Sequence, residues 1–151
     1  MGIFFKKNEK KMVEDLVVTI SNLKEMVFDN DYEKTFNNDE LGDVDKSFLH
    51  FSHVFTQLLE EINIDKYKGK IDDKLFLIVK DLYYNLCLFV DGLVKVDEIA
   101  LGHTRPSLTA NFKKTHQVYD YQMDVAGNNI EKLSKKMKRC IKELYPEVEV
   151  E

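Results

Sequence analysis

The densest group of metal-binding oxygen donors in the sequence lies between residues 29 and 40, in the stretch DNDYEKTFNNDE. Counted from the first aspartate, positions one, three, five, seven, nine and twelve carry Asp29, Asp31, Glu33, Thr35, Asn37 and Glu40. Oxygen donors at alternate positions can wrap around a hard cation, and a glutamate at the twelfth position can bind it through both carboxylate oxygens. Calcium is therefore the cofactor that this spacing indicates.

The spacing resembles the calcium-binding loop of the EF-hand family, and the resemblance is confined to this one stretch. It implies a loop between two helices whose ligands are Asp29, Asp31, Glu33, Asn37 and Glu40. Lys34 departs from the family pattern, because glycine makes the sharp turn at the sixth position. The alternative is a solvated acidic loop whose carboxylates lie near the start of the following helix.

Histidines offer a different kind of metal site. His50 and His53 are three residues apart, so both face one side of a helix. His116 and Asp120 are four apart on a later predicted helix and can add two ligands across a bundle core. The Glu-x-x-His motif that di-iron bundles repeat is absent from the sequence. The alternative is one hydrogen-bonded core histidine, His116, and two partly exposed ones.

Motifs for catalysis are absent from the sequence, which contains no phosphate-binding loop, nucleophile elbow, H-E-x-x-H motif or dinucleotide-binding glycine pattern. The net charge of −5 gives no reason to expect a nucleic-acid partner. A basic face on the last predicted helix contains Lys132, Lys135, Lys136, Lys138, Arg139 and Lys142. Such a face near a helix C-terminus is typically solvated, with contact to phosphate or to an acidic partner as the alternative.

Apolar periodicity predicts four amphipathic helices that would position these residues. The first covers about residues 10–28, and the second follows Asp45, a favourable N-cap, and ends near residue 62. Asp72 is the predicted cap of a third helix that ends near residue 101 and is apolar nearly all round, so we expect it to be the most buried.

The fourth predicted helix runs from near Ser107 to Leu144, where the Tyr145–Pro146 step ends it. Gly127 is a candidate position for a kink or a break. Four such segments in 151 residues predict a single all-α domain, a four-helix bundle of up-down or closely related topology with a long C-terminal helix. Residues 1–9 and 146–151 are predicted to be frayed tails.

Targeting signals are not evident in the sequence. Its apolar stretches are too short for a secretory signal peptide or for a bilayer span, which predicts a cytoplasmic protein that does not insert into membranes. The two cysteines, Cys87 and Cys140, fall in apolar surroundings on predicted helices, and we expect both to be buried thiols.

The most regular feature of the sequence is an apolar seam on the fourth helix, with alternating steps of four and three residues. The seam consists of Phe112, His116, Tyr119, Met123, Ala126, Ile130, Leu133, Met137, Cys140 and Leu144. A helix of about 35 residues is roughly 50 Å long, more than the width of a domain of this size, so part of the seam should find cover outside its own bundle. We therefore predict a non-catalytic protein that forms a homodimer or binds another protein, through Phe112, Tyr119, Met123, Ile130, Leu133, Met137 and Leu144.

The calcium alternative is tested at Glu40. If Ca²⁺ stabilises the fold through the acidic loop, added CaCl₂ raises the midpoint of thermal unfolding, and Glu40→Ala abolishes that rise because the bidentate ligand is lost. Thermal unfolding of both chains with and without CaCl₂ measures the effect. Midpoints that do not respond to CaCl₂ would contradict a calcium site in this loop.

Overall fold

A computed structural model of the chain describes residues 2–28, 63–100 and 109–150, and it describes side chains for residues 8–28, 63–96 and 117–150. These ranges contain three α-helices, α1 (Gly2–Phe28), α2 (Asp73–Ala100) and α3 (Thr109–Leu144), and one short 3₁₀ helix, Ile64–Tyr67. No strand occurs in the described ranges, so the all-α prediction is confirmed for them. The helix predicted after Asp45 lies outside the described residues.

The helix bounds agree with the apolar periodicity at most ends. Neither Gly92 nor Gly127 interrupts its helix, and α3 is continuous up to the Tyr145–Pro146 step. The predicted frayed tails need correction at both ends. Residues 2–9 are helical and form the first two turns of α1. At the other end Val148 is buried, and its N–H donates to the carbonyl of Tyr145 at 3.0 Å.

The start of α2 is fixed by the side chain predicted to cap it. Asp72 Oδ1 accepts hydrogen bonds from the backbone N–H groups of Lys74 at 2.9 Å and Leu75 at 3.1 Å, which have no partners within the helix. Gly69, with a φ of 75°, adopts the left-handed conformation in the turn that leads from the 3₁₀ helix to α2.

Helices α2 and α3 form an antiparallel hairpin. Near the middle of α2, Asn129 Nδ2 donates to Asn85 Oδ1 at 3.1 Å. At the start of α2, the backbone N–H of Asp72 donates to the hydroxyl of Tyr145, just beyond the end of α3, at 2.9 Å. Residue numbers rise along one helix as they fall along the other, and these bonds fix the register of the pair.

Helix α1 packs on the hairpin and runs in the same direction as α2. Its early part lies by the end of α3, where Lys10 Nζ is 3.8 Å from Glu147 Oε2. At its other end the ring of Phe28 lies 5.0 Å from the ring of Phe89 in α2. The apolar stripe of α1 is at most 1% exposed and consists of Val13, Leu16, Ile20, Leu23 and Val27. The α2 side chains in the same core are fully buried: Leu75, Val79, Leu82, Leu86 and Val90.

Gly92 marks the place where α2 and α3 approach closely. A Cβ at this position would lie 2.6 Å from Met123 Cγ and 3.3 Å from the carbonyl oxygen of Tyr119. The approach explains why α2 contains a glycine that costs about 1 kcal/mol of helix stability relative to alanine.

Gly92→Ala is therefore expected to lower the free energy of unfolding by about 1 kcal/mol, since overpacking outweighs the gain in helix propensity. In a Met123→Ala background the main obstacle is gone, and the same substitution is expected to be neutral or stabilising. Urea unfolding of the four chains gives the coupling energy between the two positions. An equal effect of Gly92→Ala in both backgrounds would show that Met123 does not impose the constraint.

Candidate functional site

The predicted seam of α3 lies largely inside the chain's own core. Ala126, Ile130, Met137 and Cys140 are at most 5% exposed, and the partly buried Leu133 packs against the same core. The expectation that Ile130 and Met137 form a free interaction surface is therefore corrected. The physical reason is the hairpin, because α2 and the core around it supply the cover that the sequence argument assigned to a partner.

The remaining seam positions are less enclosed. Tyr119 and Met123 are half-buried, and Leu144 is 45% exposed at the end of α3. The side chains of Phe112 and His116 lie outside the described side chains. Among the described residues, the seam positions that remain most accessible to a partner are therefore Tyr119, Met123 and Leu144.

The exposed apolar side chains of α3 lie beside the seam. Val118, Tyr121 and Val125 are 61%, 72% and 39% exposed, and their spacing of three and four residues places them on one side of the helix. On α2, Tyr84 is likewise 61% exposed. We call Tyr84, Val118, Tyr121 and Val125 the hairpin face.

Hydrogen bonds between the two helices border the hairpin face. Gln122, four residues after Val118, donates through Nε2 to the carbonyl of Leu88 at 2.8 Å and to Asp91 Oδ2 at 3.1 Å. Asn129, four residues after Val125, bonds to Asn85. The Val118–Val125 stripe therefore runs along the boundary with α2. Since these partly buried amides are paired, they hold the two helices in one register.

A cleft of about 450 Å³ opens between α1, α3 and the segment after α3. Ile20 and Met137, which are 1% and 4% exposed, lie at its base. The cleft is lined by Val17, Val18, Ile20, Ser21, Asn22, Lys24, Met137, Lys138, Glu149 and Val150, and we call it the α1–α3 cleft.

Two lysines give the α1–α3 cleft its charge. Both Lys24 and Lys138 are partly buried, and neither forms an ion pair with a described residue. Burial, together with the positive charge of Lys138, lowers the pKa of Lys24. Glu149 also lines the cleft but forms no ion pair with either lysine. The cleft therefore combines an apolar base with two cations that form no ion pair with a described residue.

Tyr67 joins the 3₁₀ helix to α1. It is fully buried, its hydroxyl donates to the carboxylate of Asp15, and Thr19 Oγ1 lies 3.2 Å from the same hydroxyl. Lys66 Nζ is 3.3 Å from Asp15 Oδ2 and 4.9 Å from the centre of the Tyr67 ring. The hydrogen bond from Tyr67 lowers the pKa of Asp15, whereas burial raises the pKa of Tyr67. These contacts fasten the 3₁₀ helix to α1, and we call the cluster of Asp15, Thr19, Lys66 and Tyr67 the Tyr67 anchor.

The predicted metal ligands are mostly outside the described residues. This applies to Asp29, Asp31, Glu33, Asn37 and Glu40 and to His50 and His53. His116 lies in α3, but only its backbone is described, while Asp120 is half-buried. Within the described residues no three histidine, cysteine, aspartate or glutamate side chains are grouped to hold a metal ion. The calcium and histidine sites remain predictions.

The cysteines are the remaining groups with reactive potential. Cys140 is 5% exposed and Cys87 is partly buried, and both are free thiols. Burial raises the pKa of each thiol, which disfavours the reactive thiolate. Cys140 is thus buried as predicted, whereas Cys87 is only partly buried and packs against the core.

Comparisons of the chain with protein-family models, with curated proteins and with solved structures gave no match. Of the helices within the described ranges, none is both long and apolar enough to cross a membrane. The two surfaces whose chemistry bears on binding are the hairpin face and the α1–α3 cleft.

The Tyr67 anchor has a pH dependence of known sign. Because the folded-state pKa of Asp15 is lowered, its contribution is present above about pH 4 and is lost as the pH falls through that lowered value. Because the folded-state pKa of Tyr67 is raised, the protonated phenol contributes below about pH 10, and its contribution is lost as the pH rises through the raised value.

Tyr67→Phe is expected to reduce the free energy of unfolding by about 1 kcal/mol near pH 7, because Asp15 and Thr19 lose their partner. Urea unfolding from pH 7 to pH 3 should show this difference shrinking below about pH 4. The matched control is Tyr84→Phe, which removes the hydroxyl of an exposed tyrosine and should have no effect. A Tyr67→Phe effect that stays constant with pH would contradict the role assigned to the Asp15 carboxylate.

Proposed function

We propose that the protein is a non-catalytic binding module that self-associates through the hairpin face. The observation that carries the proposal is the stripe formed by Val118, Tyr121 and Val125, which is exposed while the neighbouring seam positions are half-buried or buried. Single exposed apolar side chains are ordinary on protein surfaces, but three at spacings of three and four residues form a stripe along one side of a helix. Tyrosine is enriched at protein interfaces because its ring buries apolar area while its hydroxyl stays hydrated.

A second copy is the partner that the spacing favours. Val118 and Val125 lie at nearly equal distances along α3 on either side of Tyr121. In a two-fold antiparallel pairing of two α3 helices, Val118 of one copy would meet Val125 of the other, and the tyrosines would meet near the axis. A two-fold interface must be self-complementary in this way.

The size of the hairpin face sets the strength of association that we expect. Stable interfaces bury about 800 Å² on each partner, and four partly exposed side chains supply only the centre of such an area. We therefore propose a dimer that forms reversibly as the concentration rises, not an obligate one. A different protein binding the same face is the second outcome that the proposal allows.

The proposal also covers the number of helices in the bundle and the cellular compartment of the protein. Residues 45–62 would supply a fourth helix and complete a four-helix bundle, because their sequence carries an apolar stripe and follows a favourable cap at Asp45. The cytoplasm is the proposed compartment, since both described cysteines are free thiols. The sequence lacks recognised catalytic motifs, which supports a binding role.

Sedimentation velocity from about 1 µM to about 500 µM tests the proposal. The unmodified chain is expected to shift from monomer to dimer over this range. Val118→Asp and Tyr121→Asp are expected to hold it as a monomer, because each buries a carboxylate at the interface. The matched control is Val18→Asp on α1, since Val18 is 57% exposed and Val118 is 61% exposed. The control should dimerise like the unmodified chain.

Circular dichroism of each variant establishes that its fold is retained before the comparison is made. A monomer at every concentration would contradict self-association. A dimer that survives both Val118→Asp and Tyr121→Asp would contradict the hairpin face as its interface. If Val18→Asp prevents dimerisation to the same extent as the hairpin-face variants, then the added negative charge, and not its position, causes the loss of the dimer.

A further inference from the structure

We propose that the α1–α3 cleft is a binding site for a small amphiphilic carboxylate, whose apolar chain lies on the base of the cleft and whose single negative charge lies by Lys24 and Lys138. The hairpin face takes no part in this site, so the inference is independent of the proposed self-association.

The dimensions and base of the cleft suit a small apolar body. Its volume of about 450 Å³ falls within the range of about 300–1,000 Å³ that is usual for small-molecule sites. Ile20 and Met137 are almost fully buried and close the base of the cleft, so the apolar surface that a ligand would cover is supplied mainly by the more accessible Val17, Val18 and Val150. Met137 adds adaptability, because its unbranched thioether can adjust to the shape of a ligand. Val17 and Val150 extend the apolar lining.

The two lysines define the charge of the ligand. Lys24 and Lys138 line one cleft and interact unfavourably with each other, and no described carboxylate forms an ion pair with either. Two like charges held in a partly desolvated site cost stability in the free protein, and an anion would remove that cost. A carboxylate suits the site because its two oxygens can accept charge-assisted hydrogen bonds from two ammonium groups.

Glu149 limits the ligand to a low negative charge. Its carboxylate lines the same cleft as the lysines. A phosphate ester or a strongly acidic peptide would bring several negative charges against it, whereas a monoanion with an apolar body places one charge by two cations. The segment that carries Glu149 is held in place, because Val148 is buried and Val150 packs against the core.

Isothermal titration calorimetry of the full chain with sodium decanoate, kept below its micelle concentration, tests the inference. We expect saturable binding of one decanoate per chain. The uncharged n-decanol, with the same apolar chain, is expected to bind at least about tenfold more weakly, because it lacks the charge-assisted bonds to lysine.

Variants locate the site. Lys24→Met and Lys138→Met each remove one charge while keeping an unbranched side chain, and each is expected to weaken decanoate binding about tenfold. The matched control, Lys11→Met, removes an exposed lysine of α1 outside the cleft and should leave binding unchanged. Glu149→Gln is expected to tighten binding, because it removes a like charge from the cleft.

Thermal unfolding of the ligand-free variants separates a binding role from a structural one. The midpoints for Lys24→Met and Lys138→Met should equal or exceed that of the unmodified chain, since like-charge repulsion is relieved. A fall in midpoint together with lost binding would assign the lysines a structural role and overturn the inference.

Three further results would overturn it. One is the absence of saturable decanoate binding, and another is equal affinity for decanoate and n-decanol. The third is a chain that does not bind monomeric decanoate but co-sediments with phosphatidylserine-containing vesicles, provided that this co-sedimentation is lost when either cleft lysine is replaced. That result would assign the lysines to an anionic membrane surface.

Discussion

The packing of α2 against two neighbours at once is the constraint on which the rest of the structure depends. One side of α2 is buried against the rest of the core, with Leu82 and Leu86 fully enclosed. Another side approaches α3 so closely at Gly92 that a Cβ would meet Met123. Since these two sides are occupied, the side that carries Tyr84 remains exposed. The hairpin face is therefore what α2 and α3 leave uncovered once the core has formed.

The two surfaces depend on different parts of this arrangement. The hairpin face needs only the register of α2 and α3, which the amides of Asn85 and Asn129 help to set. The cleft also needs α1 and the segment after α3, because residues from all three parts line it. Substitutions that loosen the docking of α1 should therefore affect the cleft before they affect the hairpin face. The two binding proposals can accordingly fail or succeed separately.

The sequence predicted local features well because each depends on residues close together in the chain. Asp72 caps α2 as its position indicates, and the stripe of α1 from Val13 to Val27 is buried as its spacing indicates. Periodicity shows which side of a helix is apolar but not which neighbour covers it, and for this reason the seam of α3 alone suggests a partner for positions that the chain itself covers, such as Ile130 and Met137. The cleft could not be predicted at all. It brings together Lys24 and Lys138, whose separation along the chain leaves no pattern to read.

The connections between the helices bear on the order in which the chain assembles. Only residues 101–108 separate α2 from α3, whereas residues 29–62 precede the described part that leads into α2. Because bringing together segments that are close in the chain loses less conformational entropy, the hairpin is expected to form first and α1 to dock on it afterwards. The cleft then exists only after this last docking step. A ligand bound there would slow the departure of α1 from the hairpin. The lifetime of the assembled chain would therefore depend on the concentration of that ligand.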